Sequence, residues 1–109
     1  MSRRGVATSR PVALHQAVER LVEAITEGTG ATSAAARRAA FDGRAEDPVL
    51  AHYVNVVRTH ADRITDDDIE ILRGAGLDDD AIFEITVAAA LGAGAKRLRA
   101  GLSLLVGEP

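Results

Sequence analysis

A chain of 109 residues with net charge −3 is one domain's worth of sequence, and its 47% apolar and 27% charged residues are ordinary for a soluble globular protein. Acids and bases are interspersed, which argues against nucleic acid as a partner, because that surface needs clustered Lys and Arg. The absence of cysteine excludes disulfides, thiolate metal sites and thiol catalysis together.

Residues 1–10 read as a disordered leader, and residues 11–109 as a single helical domain. Arg3, Arg4 and Arg10 make a basic tip without the apolar run of a signal peptide. Pro11 suits the first turn of a helix, with Ser9 or Arg10 before it. Leu14, Val18, Leu21 and Ile25 then recur at helical spacing, opposite Glu19, Arg20 and Glu23. Gly28-Thr29-Gly30 is expected to stop this helix through a left-handed glycine. Thr32 or Ser33 caps a short alanine-rich second helix ending near Gly43, and a loop through Arg44 and Glu46 follows.

Asp47-Pro48 is a strong start signal, an N-cap acceptor followed by proline at the first helical position. The third helix carries Val49, Leu50, Tyr53, Val54, Val57, Ala61 and Ile64 on one broad face. Thr65 opens a fourth, short helix, with Asp68 completing a capping-box pattern, and Gly74 and Gly76 end it. Asp78 caps a long last helix from about Asp79 to Val106, closed by Gly107 and Pro109 and about 40 Å long at 1.5 Å per residue. The longest uncharged run of the C-terminal half, Ile85–Ala95, falls short of a membrane span. No segment alternates as a strand does. The expected fold is all-α, and the expected compartment is the cytoplasm.

Two aspartate triplets, Asp66–Asp68 and Asp78–Asp80, fall where helices begin. An N-terminus exposes unpaired N–H groups and about half a positive charge, and carboxylates satisfy both. A calcium loop needs alternating oxygen ligands, a central glycine and a bidentate glutamate, and neither triplet has that order. Capping is therefore the expected role, with a basic partner as the alternative, and no metal and no cofactor are expected. The same triplets weaken a helix-turn-helix reading of Ile69–Thr86, because they would place acids where a recognition helix meets phosphates.

The stretch "ADRITDDDIEILRGAGLDDDAIFEITVAAALGAGAKRL" resembles the carboxymuconolactone decarboxylase and alkylhydroperoxidase (AhpD-like) superfamily. Ile64–Ile69 with Leu72 fit its short-helix motif, and Ala75–Asp79 with Ile82 and Glu84 fit the start of its long helix. The resemblance covers Asp47 to Leu105. It implies an AhpD-like domain of about five helices with a long C-terminal one, and assembly into a closed homo-oligomer. The peroxidase members work through a Cys-x-x-Cys pair with a nearby histidine and glutamate. This cysteine-free chain cannot supply that thiolate. Glu84 aligns with the family's helix glutamate.

His60 and Tyr53 lie seven residues apart on one side of the third helix, and could form a proton-transfer pair with Arg58 or Arg63 binding a carboxylate. The plainer reading is a histidine at the rim of an apolar stripe, near a helix C-terminus that favours a cation. His15 and His52 complete the histidines. Lys96, Arg97 and Arg99 cluster in the last helix, and Arg97 is the candidate partner for Glu84 between helices or subunits. Ala88, Gly92 and Ala95 form a small-residue strip suited to a close helix crossing.

Two classes of function stay open. One is an assembling structural or regulatory subunit, joined to itself or to a larger homologous subunit. The other is a decarboxylase-like enzyme acting by proton transfer on a small carboxylate or carbonyl compound.

Overall fold

The computed structural model describes residues 10–105, the side chain of Pro11 excepted. Residues 1–9 of the expected leader, Ser9 as a cap, Val106 and the closing signals at Gly107 and Pro109 lie outside the described residues, while Arg10, the last residue of the expected leader, already opens the first helix. The rest is all-α: α1 (Arg10–Glu27), α2 (Ala34–Phe41), α3 (Pro48–His60), a 3-10 turn (Ala61–Arg63), α4 (Asp66–Gly74) and α5 (Asp79–Leu105). No helix among these residues is long and apolar enough to cross a membrane.

The helix starts follow the local chemistry of the sequence. Ser33 Oγ accepts from the Ala36 amide at 3.0 Å, and Asp47 Oδ1 from the Val49 amide at 2.8 Å. Thr65 and Asp68 form a reciprocal capping box. Asp78 Oδ1 accepts from the Ala81 amide at 2.8 Å. Asp66, Asp67, Asp79 and Asp80 fill the first turns of α4 and α5, where the helix dipole favours them. Asp79 also accepts from Arg73 Nε at 2.8 Å, tying the end of α4 to the start of α5.

The helix ends differ more from expectation. Gly43 and Gly76 take left-handed φ values of 85° and 100°, each in a paired 6→1 and 5→2 arrangement of carbonyls. Gly28 and Gly30 do not, so α1 ends without a left-handed glycine. The third helix also stops earlier than its apolar spacing predicts. It tightens into the 3-10 turn after His60, and Ile64 is extended, because the chain must reverse to bring Thr65 to its cap.

α5 is the spine of the fold. α1, α2 and α3 all pack along it, and α4 touches its start. Ala40, Tyr53, Val54, Val57, Leu72, Ile82, Ile85, Ala88 and Ala89 form the main core, and Val18, Val22, Phe41 and Ala95 a second cluster. Glu19 of α1 meets Arg99 of α5, while Thr32, beyond the end of α1, meets Glu84 near the start of α5. The two helices are therefore antiparallel, and the molecule is drawn out to 59 × 27 × 21 Å.

Candidate functional site

Glu84 projects from the first turns of α5 into the loop joining α1 to α2. Its carboxylate accepts from the Ala31 amide (2.7 Å), the Thr32 amide (2.8 Å) and the Thr32 hydroxyl (2.6 Å). The Thr32 hydroxyl bond, then the two amides, hold its pKa at about 2, against an ordinary 4.5; partial burial opposes the shift and Arg37 assists it. Arg37 Nε lies 4.0 Å from the carboxylate. The loop thus folds around an anion supplied by the protein itself.

Arg37 does more than neutralise that anion. Its side chain is buried, and its guanidinium donates to the carbonyls of Ile25 (2.8 Å), Gly28 and Thr32 (3.4 Å). These include the orphan carbonyls at the end of α1, so an arginine from the next helix performs the capping expected of a left-handed glycine.

The same device recurs twice. Arg58 of α3 donates to the Phe41 carbonyl at the end of α2. Arg97 of α5 donates to the Arg58 carbonyl in the last turns of α3, at 3.3 Å. Arg97 therefore does not pair with Glu84, whose partners are Thr32, Ala31 and Arg37. Gly92 is buried beside the Phe41 carbonyl, which a Cβ would overlap outright, and the same Cβ would lie 2.6 Å from Arg58 Nη1. The strip Ala88, Gly92, Ala95 does serve a close helix crossing. Its partners lie in the same chain, α2 at Gly92 and α1 with α2 at Ala95.

The proposed proton-transfer pair is not assembled. Tyr53 is buried, with its phenol 2.7 Å from Thr86 Oγ1, whose hydroxyl in turn donates to the Ile82 carbonyl. His60 is exposed at the end of α3, with Nδ1 3.1 Å from the Thr59 hydroxyl. Arg58 is engaged with Phe41, and Arg63 is exposed. A cavity of about 50 Å³ touches Tyr53 and His52 between α3 and α4, and its acid, Asp68, is held in the Thr65 capping box. Sites for small organic ligands run to about 300 Å³ or more. A wider cleft between α1 and the Arg38 and Arg99 side chains is open, and two of its three lining arginines are paired, Arg99 with Glu19 at 2.6 Å and Arg38 with Glu27 at 3.1 Å. His15 lies 3.7 Å from the same Glu19. Among the described residues no three acid or imidazole side chains gather in a metal-holding group.

Sequence reasoning missed Arg37, the most buried charge among the described residues. The available signal was its position, four residues before Phe41 and three before Ala40 on the apolar face of α2. In comparisons with protein-family models, curated proteins and solved structures, nothing matches this chain. The AhpD-like resemblance therefore rests on its motif residues alone, and most of those are the caps and core contacts described above.

Proposed function

We propose that the chain is a helical assembly module, structural or regulatory rather than catalytic, that joins copies of itself or a larger homologous subunit. The observation carrying this reading is the exposure of large apolar side chains on helix surfaces: Phe83 is 69% exposed, Leu105 71%, Ile71 55%, Leu21 50% and Leu14 49%. Where such side chains lie together on one face, they mark an interaction site. The polar groups that could have supported chemistry are bound up in the scaffold instead. Glu84 anchors a loop, Arg58 and Arg97 cap helices, and the Tyr53 phenol is held by Thr86. The decarboxylase-like alternative would require His60 and Tyr53 to face one substrate.

Light scattering of purified protein across a dilution series tests the proposal. An oligomer at micromolar concentration is expected. A stable monomer there would refute self-assembly.

A further inference from the structure

We infer that a second copy of this chain packs across the α1–α5 face, the leucines of one copy's α1 seating over the glycines of the other's α5. The inference rests on the self-assembly reading above and specifies its surface.

The paired helices have two sides. On one, Glu19 meets Arg99, and α2 and α3 cover α5 around Ala88 and Gly92. Around α1, the order from Glu19 is Val18 and Val22, then Leu14 and Leu21, then Ala17 and Ala24, at 100° per residue. Around α5 the order from Arg99 is Ala95 and Leu102, then Leu98 and Leu105, then Gly94 and Gly101. Val18, Val22, Ala95 and Leu102 are buried between the helices. Continuing away from the Glu19–Arg99 ion pair, Leu14 and Leu21 therefore emerge on the same side as Gly94, Gly101 and Leu105. All of these are exposed, and no charged residue interrupts either stripe between Leu14 and Ala24 or between Val87 and Leu105.

The face is complementary to itself. Leu14 and Leu21 are seven residues apart, as are Gly94 and Gly101. Val18 and Val22 cluster around Ala95, which sets Leu21 level with Gly94 and Leu14 level with Gly101, while the longer side chains of Glu19 and Arg99 meet across about one helical turn. A twofold axis running along the helices preserves those levels while exchanging the sides. It sets α1 of each copy on α5 of the other, each leucine above a glycine notch, in a four-helix bundle with antiparallel neighbours.

The glycines are the independent sign. Within a helix each weakens it relative to alanine. Gly92 has an intrachain reason, the Phe41 carbonyl, whereas a Cβ at Gly94 or Gly101 would meet nothing within 4 Å. A second backbone approaching these notches supplies the missing reason. Two helices side by side over about 30 Å, each about 10 Å wide, offer on the order of 600 Å² of flat face. Side-chain relief brings this close to the roughly 800 Å² per partner of a stable interface.

The cysteine-free background makes the test direct. Leu21→Cys and Gly94→Cys proteins are mixed at a concentration where wild type is oligomeric, and oxidised. Covalent heterodimers are expected, in excess of homodimers from either variant alone. Leu14→Cys with Gly101→Cys should behave the same way, while Leu21→Cys with Gly101→Cys, out of register by about 10 Å, should not link. Equal linkage of in-register and out-of-register pairs, or preferential Leu21→Cys homodimers, would overturn the arrangement. So would a Leu21→Glu variant, folded by circular dichroism, that keeps wild-type association; weakening of about tenfold or more is expected for a buried charge opposite the notch. If wild type associates but none of these pairs links, this face is wrong and self-assembly stands. A monomeric wild type removes both.

Discussion

The carboxylate of Glu84 occupies the space that a side chain at residue 30 would need: a Cβ on Gly30 would lie 2.6 Å from Oε2 and 2.7 Å from Oε1. Gly30 is thus fixed by a residue 54 positions later in the chain, and its φ is not left-handed. Gly30→Ala is expected to push the loop off its anion and destabilise the protein by about 1–3 kcal/mol. Urea unfolding followed by circular dichroism measures it, and an unchanged midpoint would mean that the loop does not close on Glu84.

The same carboxylate makes stability depend on acid. Its folded pKa of about 2 lies below the ordinary 4.5, so the unfolded chain binds the proton more readily. The stabilisation is complete above about pH 4.5 and is lost as pH falls through about 2. Glu19, lowered by its hydrogen bond to Arg99, adds a contribution of the same sign. Urea midpoints collected down this range should fall less steeply for Glu84→Gln than for wild type. Parallel slopes would contradict the assignment.

Arg37→Met is expected to leave the Ile25 and Gly28 carbonyls and the Glu84 anion without their guanidinium. A loss of about 2–4 kcal/mol is expected, from charged hydrogen bonds and a stranded acid. Arg37→Lys should recover only part of it, because an ammonium cannot reproduce the planar fork. Full recovery by lysine in thermal melts would show that charge alone matters there.

Gly92 and Gly94 should respond in opposite directions. Gly92→Ala drives a methyl group into the Phe41 carbonyl and should lower stability by about 1–3 kcal/mol or more. Gly94→Ala meets open space within one chain, and should raise the stability of dilute monomer by about 1 kcal/mol while weakening self-association. Denaturation at low concentration, paired with sedimentation at high concentration, separates the two effects.

The caps at Thr65 and Asp78 should each contribute about 1 kcal/mol, lost on substitution by alanine. Calcium or magnesium should leave the melting temperature unchanged. A metal-dependent rise that disappears when the triplets are replaced would reassign them.

What the sequence disclosed divides along chain separation. Thr65 and Asp68, Asp78 and Ala81, and Asp47 and Val49 lie within three residues of one another, so residue type and order determine their geometry. The all-α class and the long last helix follow from spacing in the same way. Glu84 with Thr32 and Arg58 with Phe41 are separated by 52 and 17 residues, and only packing brings them together. Periodicity alone also could not say which helix would use the small strip at Gly92. Nor could it place Tyr53 and His60, which share a side of α3 yet differ fully in exposure once α4 and α5 cover one end of that side.

The arginine caps also set an order of completion. The end of α1 is satisfied by α2, the end of α2 by α3, and the end of α3 by α5. α1, α2 and α3 each therefore depend on sequence that is synthesised after them, and the last debt is met by Arg97, in the second half of α5. A nascent chain truncated before α5 carries exposed helix ends and a Thr32 loop without its anion. Folding should accordingly wait for α5 to emerge, and the mature protein should unfold in one concerted transition, with no N-terminal fragment persisting on its own.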